Sequence, residues 1–164
     1  MKKLLQVALL VFLSIPVLSQ NPEAEVNNQV WKTFVDAYNR FDTEKFMSVY
    51  SKDIIRIAQD DKKIYDFTEY RRNVNRENQF NKTYGIKAKI ELRFTERIYT
   101  SDRGFEKGVL KISMTDNNGK PATIFSKFEV VLKKEAGVWK IKYDTDSTEG
   151  ATVSQKDFDK GKPM

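Results

Sequence analysis

Apolar residues recur at spacings of four and three from Val26 to Phe41: Val26, Val30, Phe34, Tyr38 and Phe41, with Trp31 and Val35 widening the stripe. That period predicts a helix over 23–41 with one buried face. Asn21-Pro22 stand just before it, and the fixed φ of proline suits a first helical turn. Asp42 is placed to cap a second, short helix over 43–49, whose apolar side is Phe46, Met47 and Val49-Tyr50. A short strand is predicted from Ile54 to Ala58. Asp66, with Glu69 three residues on, is the capping-box signature of a third helix starting near Phe67. Phe67, Tyr70 and Val74 line one side of it, Arg71, Arg72, Asn75 and Arg76 the other, and Gly85 ends it.

The period then changes from helical to alternating. Ile86, Ala88, Ile90, Leu92 and Phe94 alternate with Lys87, Lys89, Glu91, Arg93 and Thr95, the pattern of a strand with one wet face. The alternation stumbles at Glu96-Arg97, which predicts a bulge. After the hairpin loop 101–104 a second strand is predicted over 105–115, with Leu110, Ile112 and Met114 on one face. Asp116-Asn117-Asn118-Gly119 is a strong turn signal. A third strand follows over 122–134, with Ile124, Phe128, Val130 and Leu132 in phase. The last strand runs from Val138 to Thr145, with Trp139, Ile141 and Tyr143 on one side.

Helices first, then four hairpin-connected strands with one apolar face each, predict an α+β domain: three N-terminal helices covering one face of a curved antiparallel sheet. The domain is expected over 20–148. Residues 149–164, poor in apolar side chains, are expected to form a flexible tail.

Residues 1–19 read differently. Lys2 and Lys3 precede an apolar run, Leu4 to Leu13 broken only by Gln6, then Ser14-Ile15-Pro16 and Val17-Leu18-Ser19. This is the order of a secretory signal cleaved after Ser19, and the run is short of the roughly 20 residues that span a bilayer. The expected location is periplasmic or secreted, with no membrane association after cleavage. Without Lys2 and Lys3 the balance falls from 29 basic and 23 acidic side chains to 27 and 23, a formal +4. The charges interleave, so a nucleic-acid partner is not expected. The chain has neither Cys nor His. Ser-His-Asp and Cys-His catalysis and the common zinc sites are therefore excluded. No metal or cofactor is predicted. Any acid–base chemistry falls to Asp, Glu, Tyr or Lys.

The segment Val30-Trp31-Lys32-Thr33-Phe34 through Ala37-Tyr38-Asn39-Arg40-Phe41-Asp42, leading into Phe46-Met47-Ser48-Val49-Tyr50-Ser51-Lys52-Asp53, resembles the opening of SnoaL-like domains of the nuclear-transport-factor-2-like superfamily. Gly104 to Gly108, Gly119-Lys120 and Gly137-Val138-Trp139-Lys140-Ile141 resemble its hairpin strands and closing segment. The likeness spans residues 25–147. It implies a cone, or cystatin-like roll, with a pocket open at one end and a homodimer formed through the sheet. Members include ketosteroid isomerase, scytalone dehydratase and limonene epoxide hydrolase, alongside binding and assembly domains, so the fold does not decide the function.

Polar residues in inward phase are the pocket candidates: Tyr50, Arg56, Tyr65, Ser126 and Tyr143. Asp144 alternates with Trp139, Ile141 and Tyr143 and is expected to face outward. The scytalone dehydratase type needs His, and the sequence reveals no equivalent of the epoxide-hydrolase Asp-Arg-Asp set. Asp144, Asp146 and Glu149 lack the spacing of a calcium loop. Trp31 and Trp139 read as core anchors. The expected function is the binding of a small apolar or amphipathic ligand, or self-association. The alternative is an isomerase, dehydratase or hydrolase using a Tyr and a carboxylate. The homodimer is expected to pair Lys87, Lys89, Glu91, Arg93, Lys127 and Glu129 across a two-fold axis.

Overall fold

The computed structural model describes residues 21–164; the predicted signal segment, residues 1–19, lies outside them. The first helix runs as α1 (Pro22–Val26), one π-helical turn (Asn27–Trp31) and α2 (Lys32–Asn39), with right-handed helical dihedrals at each junction. Its start is capped by the Asn21 side chain, which accepts from the amide of Ala24. Phe41, buried and at φ 54°, then turns the chain in a left-handed conformation. Asp42 caps α3 (Thr43–Met47) by accepting from the amide of Lys45 at 3.0 Å. The predicted capping box of Asp66 and Glu69 starts α4 (Phe67–Thr83).

Six strands form one sheet: β1 (Tyr50–Ala58), β2 (Lys63–Tyr65), β3 (Lys87–Tyr99), β4 (Arg103–Thr115), β5 (Pro121–Glu135) and β6 (Val138–Ser147). Their order is β2-β1-β6-β5-β4-β3. Neighbours are antiparallel except β1 and β6, which are parallel. The expected α+β architecture is present: a curved, unclosed sheet with the N-terminal helices on its inner face. Trp31, Phe34, Phe46, Leu92, Phe128, Val130 and Ile141 meet between the layers. Both tryptophans are buried.

Three register shifts interrupt the sheet: one between Tyr50 and Ile55 where β1 meets β6, and two bulges that set which side chains face in on β3 and β6. One lies between Phe94 and Glu96 on β3, where the alternation stumbles. The other was not legible: Leu132 pairs with Ile141 and Val131 with Tyr143, so Lys142 is the extra residue. It reverses the phase of β6 beyond Ile141. Tyr143 therefore turns outward, and Asp144 and Asp146 turn in.

The C-terminal segment departs from the expected loose tail. Val153 and Phe158, the latter on α5 (Gln155–Asp159), are buried against Val109 and Phe125 on the outer face. Lys162 then exchanges two backbone hydrogen bonds with Phe94, at 2.8 and 2.9 Å, on the free edge of β3. Two well-placed apolar residues and an unpaired strand edge are sufficient to hold the segment.

Candidate functional site

A cavity of about 310 Å³ lies between the helices and the inner face of the sheet. Its floor is apolar, formed by Phe34, Leu92, Leu110, Phe128, Val130 and Ile141. Around its mouth stand Gln59, Asp60, Asp61, Tyr65, Asn73 and Glu77.

Between floor and mouth is a charged cluster built by register. Arg56 on β1 lies directly opposite Asp144 on β6, and Ala58 opposite Asp146. The Arg56 Nε is 3.7 Å from Asp144 Oδ2, and its Nη2 donates to Asp146. Arg56 Nη1 donates to the carbonyl of Ile57, which leaves Nε as a buried donor without a hydrogen bond. The Tyr50 hydroxyl donates to Asp144 Oδ2 at 3.0 Å. Tyr50 and Tyr70 meet edge to face, centroids 5.3 Å apart and planes at 89°.

This environment shifts the ionisable groups. Burial raises the Asp144 carboxyl above the ordinary carboxylate range, and Asp146 adds to the rise; Arg56 and the Tyr50 hydroxyl only partly offset it. Burial also raises the phenol of Tyr50, reinforced by Asp144, and pushes Tyr70 up to about 12. Burial opposes the charge on Arg56, but its carboxylate and tyrosine neighbours outweigh that, so it stays a cation. A buried carboxyl with a raised pKa beside a phenol donor is equipped to accept or deliver a proton.

Of the sequence-derived candidates, Tyr50, Arg56 and Tyr65 line this cavity. Ser126 is buried and does not line the cavity; its hydroxyl donates to Asp146 Oδ2 at 3.3 Å. Tyr143 does not line the cavity, because the bulge at Lys142 turns it outward. The same bulge corrects the reading of Asp144, which is only 9% exposed and faces in. Arg56 also stands between Asp144 and Asp146, a cluster the sequence did not reveal. Asp144, Asp146 and Glu149 do not gather into one oxygen cage: Asp146 binds Arg56, while Glu149 binds Lys127.

Compared as a sequence, the chain matches no family model and no curated relative. Compared as a structure, it superposes on a nuclear transport factor 2-like superfamily protein from Salmonella enterica serovar Typhimurium with a TM-score of 0.62, over 76% of this chain and 89% of that one, at 12% identity. The chain has the nuclear-transport-factor-2-like fold. A ketosteroid isomerase-like protein from Erwinia carotovora atroseptica is similar over 78% of this chain and 97% of its own, with a TM-score of 0.59 and 16% identity. A putative calcium/calmodulin-dependent protein kinase II association domain from Xanthomonas campestris is similar over 82% and 91%, with a TM-score of 0.60 and 18% identity. Identities this low carry the fold and leave the chemistry to the residues.

Within this nuclear-transport-factor-2-like fold a second buried ion pair was missed by the sequence reading. Glu106 is fully buried. It accepts from the Trp31 indole at 2.6 Å, from Arg97 Nε at 2.7 Å and from the Tyr99 hydroxyl. Arg97 also reaches Asn27 and Glu23 and lies 4.2 Å from the centre of the Phe94 ring. Glu106 shares the parity of Leu110 and Ile112, so a charge in an inward phase was the available signal. Its acceptors are occupied and it lies outside the cavity lining, which marks it as a tie between the helix layer and the sheet.

Proposed function

We propose that the mature chain, exported after cleavage at Ser19, binds a small, largely apolar molecule in the cone cavity, with the polar end of that molecule at Tyr50, Asp144 and Arg56. The carrying observation is the contrast within one cavity: an apolar floor beneath a buried, hydrogen-bonded charged cluster. Native mass spectrometry of the chain purified from its expression host, together with thermal shifts against a panel of small amphipathic molecules, tests this. Retained mass or a shift that Leu110→Trp abolishes supports it. No shift across the panel, or shifts indifferent to a filled cavity, counts against it. Finding the mature N-terminus anywhere but Gln20 removes the export reading.

A second reading, acid–base catalysis, is favoured by one observation: the cavity holds a buried carboxyl in hydrogen-bond contact with a tyrosine. In such a site Asp144 Oδ1 takes a proton from the bound molecule or returns one, Tyr50 stabilises developing negative charge, and Arg56 orients both carboxylates. Enolisable ketones and epoxides are the substrates to screen. Turnover lost in Asp144→Asn supports catalysis; binding without turnover across the panel returns the site to a binding role.

A further inference from the structure

The charges around the cavity give its occupant a sign, an inference that rests on the binding reading above. Among the described residues lining the cavity five are acidic, Asp60, Asp61, Glu77, Asp144 and Asp146, and one, Arg56, is basic. The chain as a whole leans the other way, with 29 basic and 23 acidic side chains. Arg56 is already engaged by both buried carboxylates. Even its Nε, which makes no hydrogen bond, faces Asp144 Oδ2. The buried cluster therefore carries an excess negative charge whenever both acids are ionised.

Two further observations agree. Tyr50 and Arg56 both approach Oδ2 of Asp144, and Oδ1 accepts no hydrogen bond among the described residues, although Asp144 is 9% exposed. Asp144 lines the cavity, and Oδ1 is accessible there to a donor on an occupant. The walls beside it are ring faces and edges: Tyr50 against Tyr70, and Phe46 with its centroid 5.5 Å from Tyr50. Aromatic faces attract cations and repel anions. An anion would meet a cluster with one excess negative charge and π faces, and a molecule without a donor would leave Oδ1 unpaired.

We infer that the cavity takes a protonated amine on a compact apolar body. The ammonium N–H donates to Asp144 Oδ1 beside the Tyr50 and Tyr70 rings, and the body lies on Phe128 and Val130. Asp60, Asp61 and Glu77 at the mouth raise the local concentration of such cations.

Three probes of matched shape test the sign: phenethylammonium, 2-phenylethanol and 3-phenylpropanoate, titrated into the full mature chain at pH 7 and low salt, followed by calorimetry and by the Trp31 indole resonance. The ammonium is expected to bind about tenfold or more tighter than the alcohol, and the carboxylate most weakly. Asp144→Asn should remove that preference. Asp61→Asn, an exposed change that spares the fold, should weaken the ammonium by about twofold and leave the alcohol unchanged. An alcohol or carboxylate that binds as tightly as the ammonium overturns the inference while leaving the cavity a binding site. No response to any of the three overturns the inference and counts against the binding reading as well.

Discussion

At the scale of single residues, the two buried carboxylates do different work and should answer mutation differently. Glu106 is held by Trp31, Arg97 and Tyr99, so Glu106→Ala strands the Arg97 guanidinium in the interior. Removing one partner of a buried pair typically costs about 3–5 kcal/mol. Urea unfolding should show a loss of that order; a loss below about 1 kcal/mol, the scale of an exposed pair, would contradict the buried tie. Asp144 is tested through pH. Its carboxyl is raised above 3.8 by burial, with Arg56, Asp146, Tyr50 and Tyr70 as its charged and titratable neighbours. The folded state then holds this proton more tightly than the unfolded state does. Stability from this group declines as pH rises from about 3.8 through the folded pKa, and is level above it. In Asp144→Asn that decline is absent, so the variant should gain on the wild type as pH rises above about 3.8 in paired urea titrations. A constant difference as pH rises would mean that the carboxyl is not desolvated. The two acids were unequally legible. Glu106 stands in phase with Leu110 and Ile112 on an unbroken strand, so parity alone places it inside. Asp144 follows a bulge, and parity counted from Trp139 and Ile141 sends it to the wrong face.

At the scale of elements, local signals carried well wherever the determining chemistry was local. Asp42 and Asp66 cap the helices their spacing announces, and Ala136-Gly137, both at positive φ, make the hairpin turn between β5 and β6 with the twist that favours such turns. Long-range pairing carried less. Nothing near Tyr50–Ala58 says that this strand lies parallel to β6, and that pairing is what brings Arg56 opposite Asp144. The C-terminal segment is the same lesson from the other side. Its composition reads as a tail, but Val153 and Phe158 find a matching patch on β4 and β5, and Gly161 fits where a Cβ would lie 2.7 Å from the Cβ of Arg93. Phe158→Ala should release α5, and a loss of about 2–3 kcal/mol is expected, near the low end for a large aromatic because the cluster is small. Hydrogen exchange gives the sharper reading. The amide of Phe94 bonds to Lys162, so its protection should fall in Phe158→Ala while that of Ile141 in the central sheet holds. Unchanged protection at Phe94 would mean that the segment stays docked without its anchor.

At the scale of the whole molecule, the sheet carries two adjacent rows of opposite character. The inner row runs Arg97, Glu106, Val130, Asp144, Arg56, with a cross-strand ion pair at each end. The outer row runs Ile98, Phe105, Val131, Tyr143, Ile55, apolar across five strands. Ile98 and Ile55 are more than half exposed and Val131 is 40% exposed. The charged patch first expected to join two copies is partly engaged within the chain, since Arg93 pairs with Asp159 and Lys127 with Glu149. The proposed homodimer interface therefore moves to the apolar row. One flank of that row carries Glu96, Lys107 and Glu129, and the other carries Arg103, Lys133 and Lys140. A two-fold axis lying along the row in the interface plane sets the acidic flank of one copy over the basic flank of the other, and apolar side chains meet apolar side chains. Light scattering of the mature chain should give a dimer mass that Val131→Lys reduces to the monomer. The variant's circular dichroism should be unchanged, because the substitution is on an exposed face. Since the flanks attract, the dimer should weaken as salt rises, although the apolar row limits the loss. A wild-type chain that stays monomeric at high concentration, or a Val131→Lys chain that remains dimeric, would mean that this row is not where two copies meet.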